Sequence, residues 1–305
     1  MRIFKFIAMI AAIGLFLVSC NREGQFSPKN KIDRIYYSEI RTYEEYDGNT
    51  WETIHTDSTY RLKEDWEWDG AKLKSISYYN SLGELSTVEN YTYDGKRLSS
   101  IKWSDDVYCT FHYQQGKIDS INYYYGPYLM ESYAITHSGG KISQISLIEG
   151  YGSKGMSSPY AMNAFRFLIP NANMESFTKM MSCMRSKMET KGEATFIIQF
   201  EWSGRNIHKM TYIHDSSNSE TFEFEYDNKR NPYYGLFDME EFADKPFLSK
   251  NNITHETNAD HVTQSEFGYT YTYDGDYPAT QSCSYTEGFG DSRNLYTTTL
   301  FFEYK

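Results

Sequence analysis

Tyr91-Thr92-Tyr93-Asp94-Gly95-Lys96-Arg97-Leu98-Ser99-Ser100-Ile101 is the stretch whose reading decides the fold. Tyr91 and Tyr93 flank one polar residue, so they share a face of an extended strand, whose side chains alternate with period two. Asp94-Gly95 then offers the positive φ that tight hairpins between right-twisted strands require. Leu98 and Ile101 follow three residues apart, a spacing that a regular strand cannot keep on one face. The reading therefore predicts strand, turn, strand, with a β-bulge between the two aliphatics.

The same pattern recurs along the chain. Trp66-Glu67-Trp68-Asp69-Gly70 precedes Leu73 and Ile76, and Phe111-His112-Tyr113 precedes Gly116, Ile118 and Ile121. Phe200-Glu201-Trp202 leads to Gly204, Ile207 and Met210, and a weaker copy runs from Tyr133 to Ile145 through Gly139 and Gly140. Late versions are Phe224-Glu225-Tyr226-Asp227-Asn228 and Tyr271-Thr272-Tyr273-Asp274-Gly275, and Lys31-Ile32-Asp33-Arg34-Ile35 reads as the second half of a copy. Phe196, Ile198, Phe200 and Trp202 alternate with polar or smaller residues, as do Phe222, Phe224 and Tyr226, and Leu300-Phe301-Phe302-Glu303-Tyr304 reads as a terminal strand. These signals predict an all-β fold of about 14 strands in a large antiparallel up-and-down meander. A twisted open sheet rarely exceeds about 10 strands, so the expectation is a strongly curved sheet or a soluble barrel.

Two stretches interrupt the pattern. In 150–192, a loop from Gly150 to Pro159 is followed by an expected helix capped at Asn173, with Phe177, Met181, Met184 and Met188 on one stripe. Residues 227–262 read as a long ordered loop containing Asn231-Pro232-Tyr233-Tyr234-Gly235 and Leu248-Ser249-Lys250-Asn251-Asn252. Residues 31–305 are thus read as a single β-repeat domain with one inserted helical segment and one long loop.

The first 19 residues have the form of a signal peptide. Arg2 and Lys5 precede an apolar run from Phe6 to Val18, and Leu17-Val18-Ser19-Cys20 fits the cleavage box of bacterial lipoproteins. The expected lipidation site is Cys20, whose thiol would take a diacylglycerol, and residues 20–30 read as a lipidated tether. That places the protein at the outer membrane, held by its N-terminal lipid, with the periplasmic or cell-surface face left open. Loss of Arg2 and Lys5 takes the formal charge from −11 to −13. So acidic a body argues against nucleic acid as a partner. Of the remaining Cys109, Cys183 and Cys283, at most one pair can form a disulfide.

With these motifs in order, the chain resembles uncharacterised Bacteroidetes lipoproteins classed as a domain of unknown function with a porin-like fold. The resemblance covers roughly residues 30–305 and implies a large antiparallel β structure with no assigned activity. The hairpins also resemble the Tyr-Asp repeats of large secreted shell and adhesin proteins, but here the copies are irregularly spaced and few. A lipid-facing barrel wall needs an apolar residue at every second position. Glu, Lys, Ser and Asn occupy the alternate faces here, and the mean hydropathy is −0.66.

No catalytic residue, metal ligand or cofactor follows from the sequence. The seven histidines, His55, His112, His137, His208, His214, His255 and His261, form no paired zinc motif. There is no Gly-x-Ser-x-Gly and no phosphate loop. Asp105-Asp106 and Glu240-Glu241 are adjacent in sequence, which does not place two carboxyls across a scissile bond. Trp51, Trp66, Trp103, Tyr123, Tyr124 and Tyr125 are candidate ligand-stacking rings, against the plainer reading of cross-strand packing. The expectation is a non-enzymatic, lipid-anchored binding or scaffold module whose partner is a glycan or an envelope protein. The alternatives are a glycan-binding accessory lipoprotein and a hydrolase with an unrecognised site.

Overall fold

The computed structural model describes residues 23–149, 197–215, 218–236, 247–259, 264–289 and 291–305. Among these are sixteen strands and no helix: β1 (Ile32–Tyr46), β2 (Trp51–Asp69), β3 (Lys72–Tyr79), β4 (Leu85–Asp94), β5 (Arg97–Lys102), β6 (Val107–Gln114), β7 (Lys117–Tyr125), β8 (Tyr128–Ser138), β9 (Lys141–Glu149), β10 (Ile197–Ser203), β11 (Asn206–Asp215), β12 (Asn218–Tyr226), β13 (Ile253–Ala259), β14 (Gln264–Asp274), β15 (Tyr277–Phe289) and β16 (Ser292–Tyr304). Each strand pairs with its sequence neighbours, and β1 also pairs antiparallel with β16, so the meander closes into a barrel. Closure removes the two sheet edges that an open meander would expose.

The count corrects the expected 14 strands. The long loop ends at Asn252, and β13 follows inside the stretch read as loop to residue 262. On β13 two inward positions are held by Glu256 and Asn258, both buried, so the sequence shows no apolar alternation there. The expected helical segment at 150–192 lies outside the described residues.

The bulge expected between Leu98 and Ile101 is present. Thr92 faces Ser100 and Tyr93 faces Leu98, which leaves Ser99 without a partner on β4. The same skip falls at Asp33, Lys74, Asp119, Ser143, His208, Thr254 and Ala279, near the start of every odd-numbered strand. A bulge disrupts the ladder locally. Here the carbonyl just before the skipped residue is met by a side chain from the next strand. Trp68 Nε1 donates to the Ile32 carbonyl at 2.7 Å, Tyr113 Oη to Leu98 at 2.7 Å, and Trp202 Nε1 to Ile142 at 2.7 Å. Tyr226 donates to Ile207 at 2.6 Å, Tyr271 to Ile253 at 2.6 Å and Tyr304 to Pro278 at 2.8 Å. Each such bond contributes about 1 kcal/mol net, while an unmet buried carbonyl costs about 1–3 kcal/mol. The second aromatic of each copy is therefore a polar pin as well as core.

The core lies at the end of the barrel that carries the Asp-Gly-type turns. There Leu73, Ile76, Leu98, Ile101, Ile118, Ile121, Ile142 and Ile145 point inward and are buried. Two further segments close that end. Glu23–Phe26 crosses it: the Leu98 N–H donates to the Gly24 carbonyl at 2.8 Å, and the Phe26 ring lies 5.7 Å from Trp68 and 6.3 Å from Trp66. From the other side comes the β12–β13 loop, whose Tyr233 ring sits 6.3 Å from Trp66 and 6.1 Å from Phe302. Asn231 fixes this loop by donating to the Ser249 carbonyl at 2.8 Å and accepting from the Tyr233 N–H at 2.9 Å. Asn252 anchors its far end on Asp227 at 3.0 Å. The two motifs quoted from this loop thus both belong to the barrel floor, alongside the strap Glu23–Phe26.

Candidate functional site

Above that floor the barrel interior turns acidic. Glu64, Glu89, Glu131, Glu220 and Glu256 are all buried, on β2, β4, β8, β12 and β13. Burial of a carboxylate is costly unless donors meet it, and aromatic side chains supply them. Glu64 accepts from Trp66 Nε1 at 2.8 Å. Glu89 accepts three bonds, from Tyr91 Oη at 2.6 Å, Tyr78 Oη at 2.9 Å and Trp103 Nε1 at 2.9 Å. Glu131 accepts from Tyr133 Oη at 2.6 Å, and burial pushes its carboxyl up to about 7.

The β11–β14 sector is less well satisfied. Asn258 donates to Glu220 at 2.8 Å, and Tyr269 reaches Glu256 only at 3.5 Å. Glu256 Oε1 and Asn258 Oδ1 are buried with no hydrogen-bond donor. Burial holds the Glu256 carboxyl well above the usual carboxylate range. The negative charges of Glu220 and Glu256, after burial itself, push Tyr212 up. Among the described residues, no group of three or more His, Cys, Asp or Glu is placed to hold a metal ion.

The candidate stacking rings do not form one platform. Trp66 is 1% exposed at the floor, bonded to Glu64. Trp103 and Tyr123 stack on each other at 5.9 Å against the core, with Trp103 bonded to Glu89. Tyr124 stacks on Tyr108 at 4.9 Å on the outer wall. Trp51 and Tyr125 are exposed at the rim opposite the floor, Trp51 at the β1–β2 turn and Tyr125 at the β7–β8 turn. Arg293 lies over the Trp51 ring at 4.1 Å. Cys20 lies outside the described residues. Cys109 and Cys283 are free thiols.

The sequence did carry a signal for the interior carboxylates. Glu64-x-Trp66, Glu89-x-Tyr91, Glu131-x-Tyr133 and Glu220-x-Phe222 each set a glutamate two residues before an inward aromatic, hence on the same face. Only Glu256, which stands two residues before an asparagine, breaks that rule.

No family model matches the chain, and no curated protein matches it. Solved structures similar to it include two porin-like proteins. One is a porin-like protein from Bacteroides uniformis ATCC 8492, with 11% identity, TM-score 0.46, and coverage of 88% of this chain and 98% of that one. The other is a porin-like protein from Bacteroides vulgatus ATCC 8482, with 10% identity, TM-score 0.45, and coverage of 91% of this chain and 99% of that one.

Proposed function

We propose that the protein is a lipid-anchored, non-catalytic binding or scaffold module of the outer membrane that stands floor-down on its anchor. The observation that carries this reading is the strap Glu23–Phe26. It begins three residues after Cys20 and is built into the barrel floor through Ile118, Leu98 and the Trp66–Trp68 pair. A lipid on Cys20 would hold the turn end toward the membrane and turn the rim away from it. The packed floor of Phe26, Trp66, Tyr233 and Phe302 supports a module closed at one end rather than a conduit. Labelling cells with an alkynyl fatty acid tests the anchor. The native chain is expected to label and to fractionate with membranes, and Cys20→Ala to do neither; an unlabelled native chain would end the proposal.

A glycan-binding role is the second reading, favoured by Trp51 and Tyr125 exposed at the rim. A polysaccharide array probed with the lipid-free chain is expected to give signal that Trp51→Ala weakens at least tenfold. No signal on any polysaccharide would remove this reading and leave the first intact.

A further inference from the structure

On one half of the ring the two ends of the barrel carry opposite charge. Between β4 and β11 four turns lie at the floor end, at 94–97, 114–117, 138–141 and 203–206. They hold Lys96, Arg97, Lys117, Lys141 and Arg205 against one acid, Asp94. On the same half, the rim turns at 80–84, 103–106 and 126–127 hold Glu84, Asp105 and Asp106 and no Lys or Arg. The acidic run Asp238, Glu240, Glu241 and Asp244 belongs to the β12–β13 connection, not to these turns. None of the five cations forms an ion pair with a described carboxylate. Two of them have a use within the fold: Arg97 lies over the Tyr113 ring at 5.3 Å, and Lys141 lies over Trp202 at 5.0 Å and donates to the Gly204 carbonyl. The other three have none. Lys96 and Arg205 are exposed at their turns, and beside Lys117 the next strand offers His137, already held by Glu23, where other copies offer a ring. In a chain of formal charge −11, solubility does not call for unpaired cations gathered at one end.

We infer that this basic arc is a contact surface for anionic phospholipid headgroups of the membrane that holds the anchor. The inference rests on the floor-down reading above and adds the partner that the floor meets. Three observations support it. First, the strap enters the floor under these same turns: Glu23 accepts the Ile118 N–H and pairs with His137, and Gly24 accepts the Leu98 N–H. Cys20 stands three residues before Glu23, so an acyl chain there would bring Lys96, Arg97 and Lys117 to the level of the lipid phosphates. Second, a pocket of about 420 Å³ opens beside the strap, with Lys117, Gln114 and Thr136 as donors in its lining and Asp119 as its one carboxylate. That size admits a small polar group, and Lys117 is the cation it offers to a phosphate. Third, an acidic body is repelled by an anionic membrane unless a basic face is turned to it. Glu84, Asp105 and Asp106 push the rim away from such a surface, so charge orients the barrel in the same sense as the strap.

Co-sedimentation of the lipid-free chain with vesicles reads this contact without using the anchor. At low salt the chain is expected to bind vesicles of phosphatidylglycerol mixed with phosphatidylcholine at least about tenfold more than vesicles of phosphatidylcholine alone, and added salt is expected to remove the difference. Lys96→Glu with Lys117→Glu should cut the binding at least about tenfold. Lys102→Glu with Lys209→Glu, the same change of charge on the outer wall, should leave most of it. The inference is overturned by equal binding to both kinds of vesicle, by binding to neither, or by equal losses from the two double variants while both barrels resist protease. Any of these results with the native chain still acylated at Cys20 leaves the anchored reading intact. An unacylated native chain that binds anionic vesicles through Lys96 and Lys117 ends that reading and keeps the basic contact.

Discussion

His137 Nε2 stands 3.0 Å from Glu23 Oε2, on the strand that follows the Asp119 bulge, at the position that Trp or Tyr holds beside six other bulges. Six bulge carbonyls accept from a Trp or Tyr of the next strand; beside the Asp119 bulge, β8 offers a histidine at the matching position, and the N-terminal strap meets it. Glu23 closes the arrangement by accepting the Ile118 N–H at 2.9 Å, just before the Asp119 bulge. The strap is thus keyed to a break in the pattern. Glu23→Ala should release it without opening the barrel. Limited proteolysis is expected to cut within residues 23–30 at least tenfold faster, while urea denaturation of the remaining body shifts by no more than about 1–2 kcal/mol. Unchanged proteolysis would mean that the pair does not hold the strap.

Gly24 gives a sharper test of the same floor. It sits at φ +70°, and a Cβ there would lie 1.9 Å from Tyr113 Oη, the atom that bonds the Leu98 carbonyl. Gly24→Ala must therefore move the strap or break that bond, at a cost of about 1–3 kcal/mol. Chemical denaturation should show the loss, and Tyr113→Phe combined with Gly24→Ala should cost less than the sum of the two single changes. Full additivity would contradict the contact.

The interior carboxyls set a pH dependence whose sign is fixed. Glu131 is raised by burial from 4.5 to about 7 in the folded barrel. Its contribution to stability is fully present below the unfolded value and is lost as pH rises through about 7. At 1.36 kcal/mol per unit this amounts to at most about 3 kcal/mol. Glu256, also raised, acts in the same direction. Urea midpoints compared at pH 5 and pH 8 are expected to favour pH 5 less in Glu131→Gln than in the native chain. An identical pH difference in both proteins would show that Glu131 titrates normally.

Cys283 is half-buried, and burial followed by the nearby Glu256 charge pushes its thiol up to about 11. Only about one molecule in a thousand then carries the thiolate at pH 8. Cys109 is fully buried. Iodoacetamide at pH 8 is therefore expected to leave both unmodified in the folded protein and to alkylate both after denaturation, read by peptide mass spectrometry. Rapid alkylation of Cys283 in the native state would contradict its placement inside the wall.

The hairpins were legible because each one is local. Aromatic alternation, a Gly turn and a three-residue aliphatic step all lie within a dozen residues, and together they place a bulge between Leu98 and Ile101, where the ladder skips Ser99. Closure was not legible, because the β1–β16 ladder joins Tyr37 to Leu300 and no local pattern encodes a pairing so distant. Nor was β13, where Glu256 and Asn258 hold buried positions beyond Ile253. Asn231-Pro232-Tyr233-Tyr234-Gly235 was visible as a motif, but its role needed the ring contact between Tyr233 and Trp66. The Glu-x-aromatic pattern was present in the letters throughout. It passes unnoticed when charged residues are assigned to the solvent face by default.

Ser38 on β1 and Thr299 on β16 face each other across the closing seam. Ser38→Cys with Thr299→Cys, oxidised under mild conditions and digested, measures closure directly. The account predicts an intramolecular disulfide linking the two peptides in most molecules, formed in the monomer and absent in either single variant. No such linked peptide, from a chain that is folded by circular dichroism, would show an open sheet and would take the floor and the acidic interior with it.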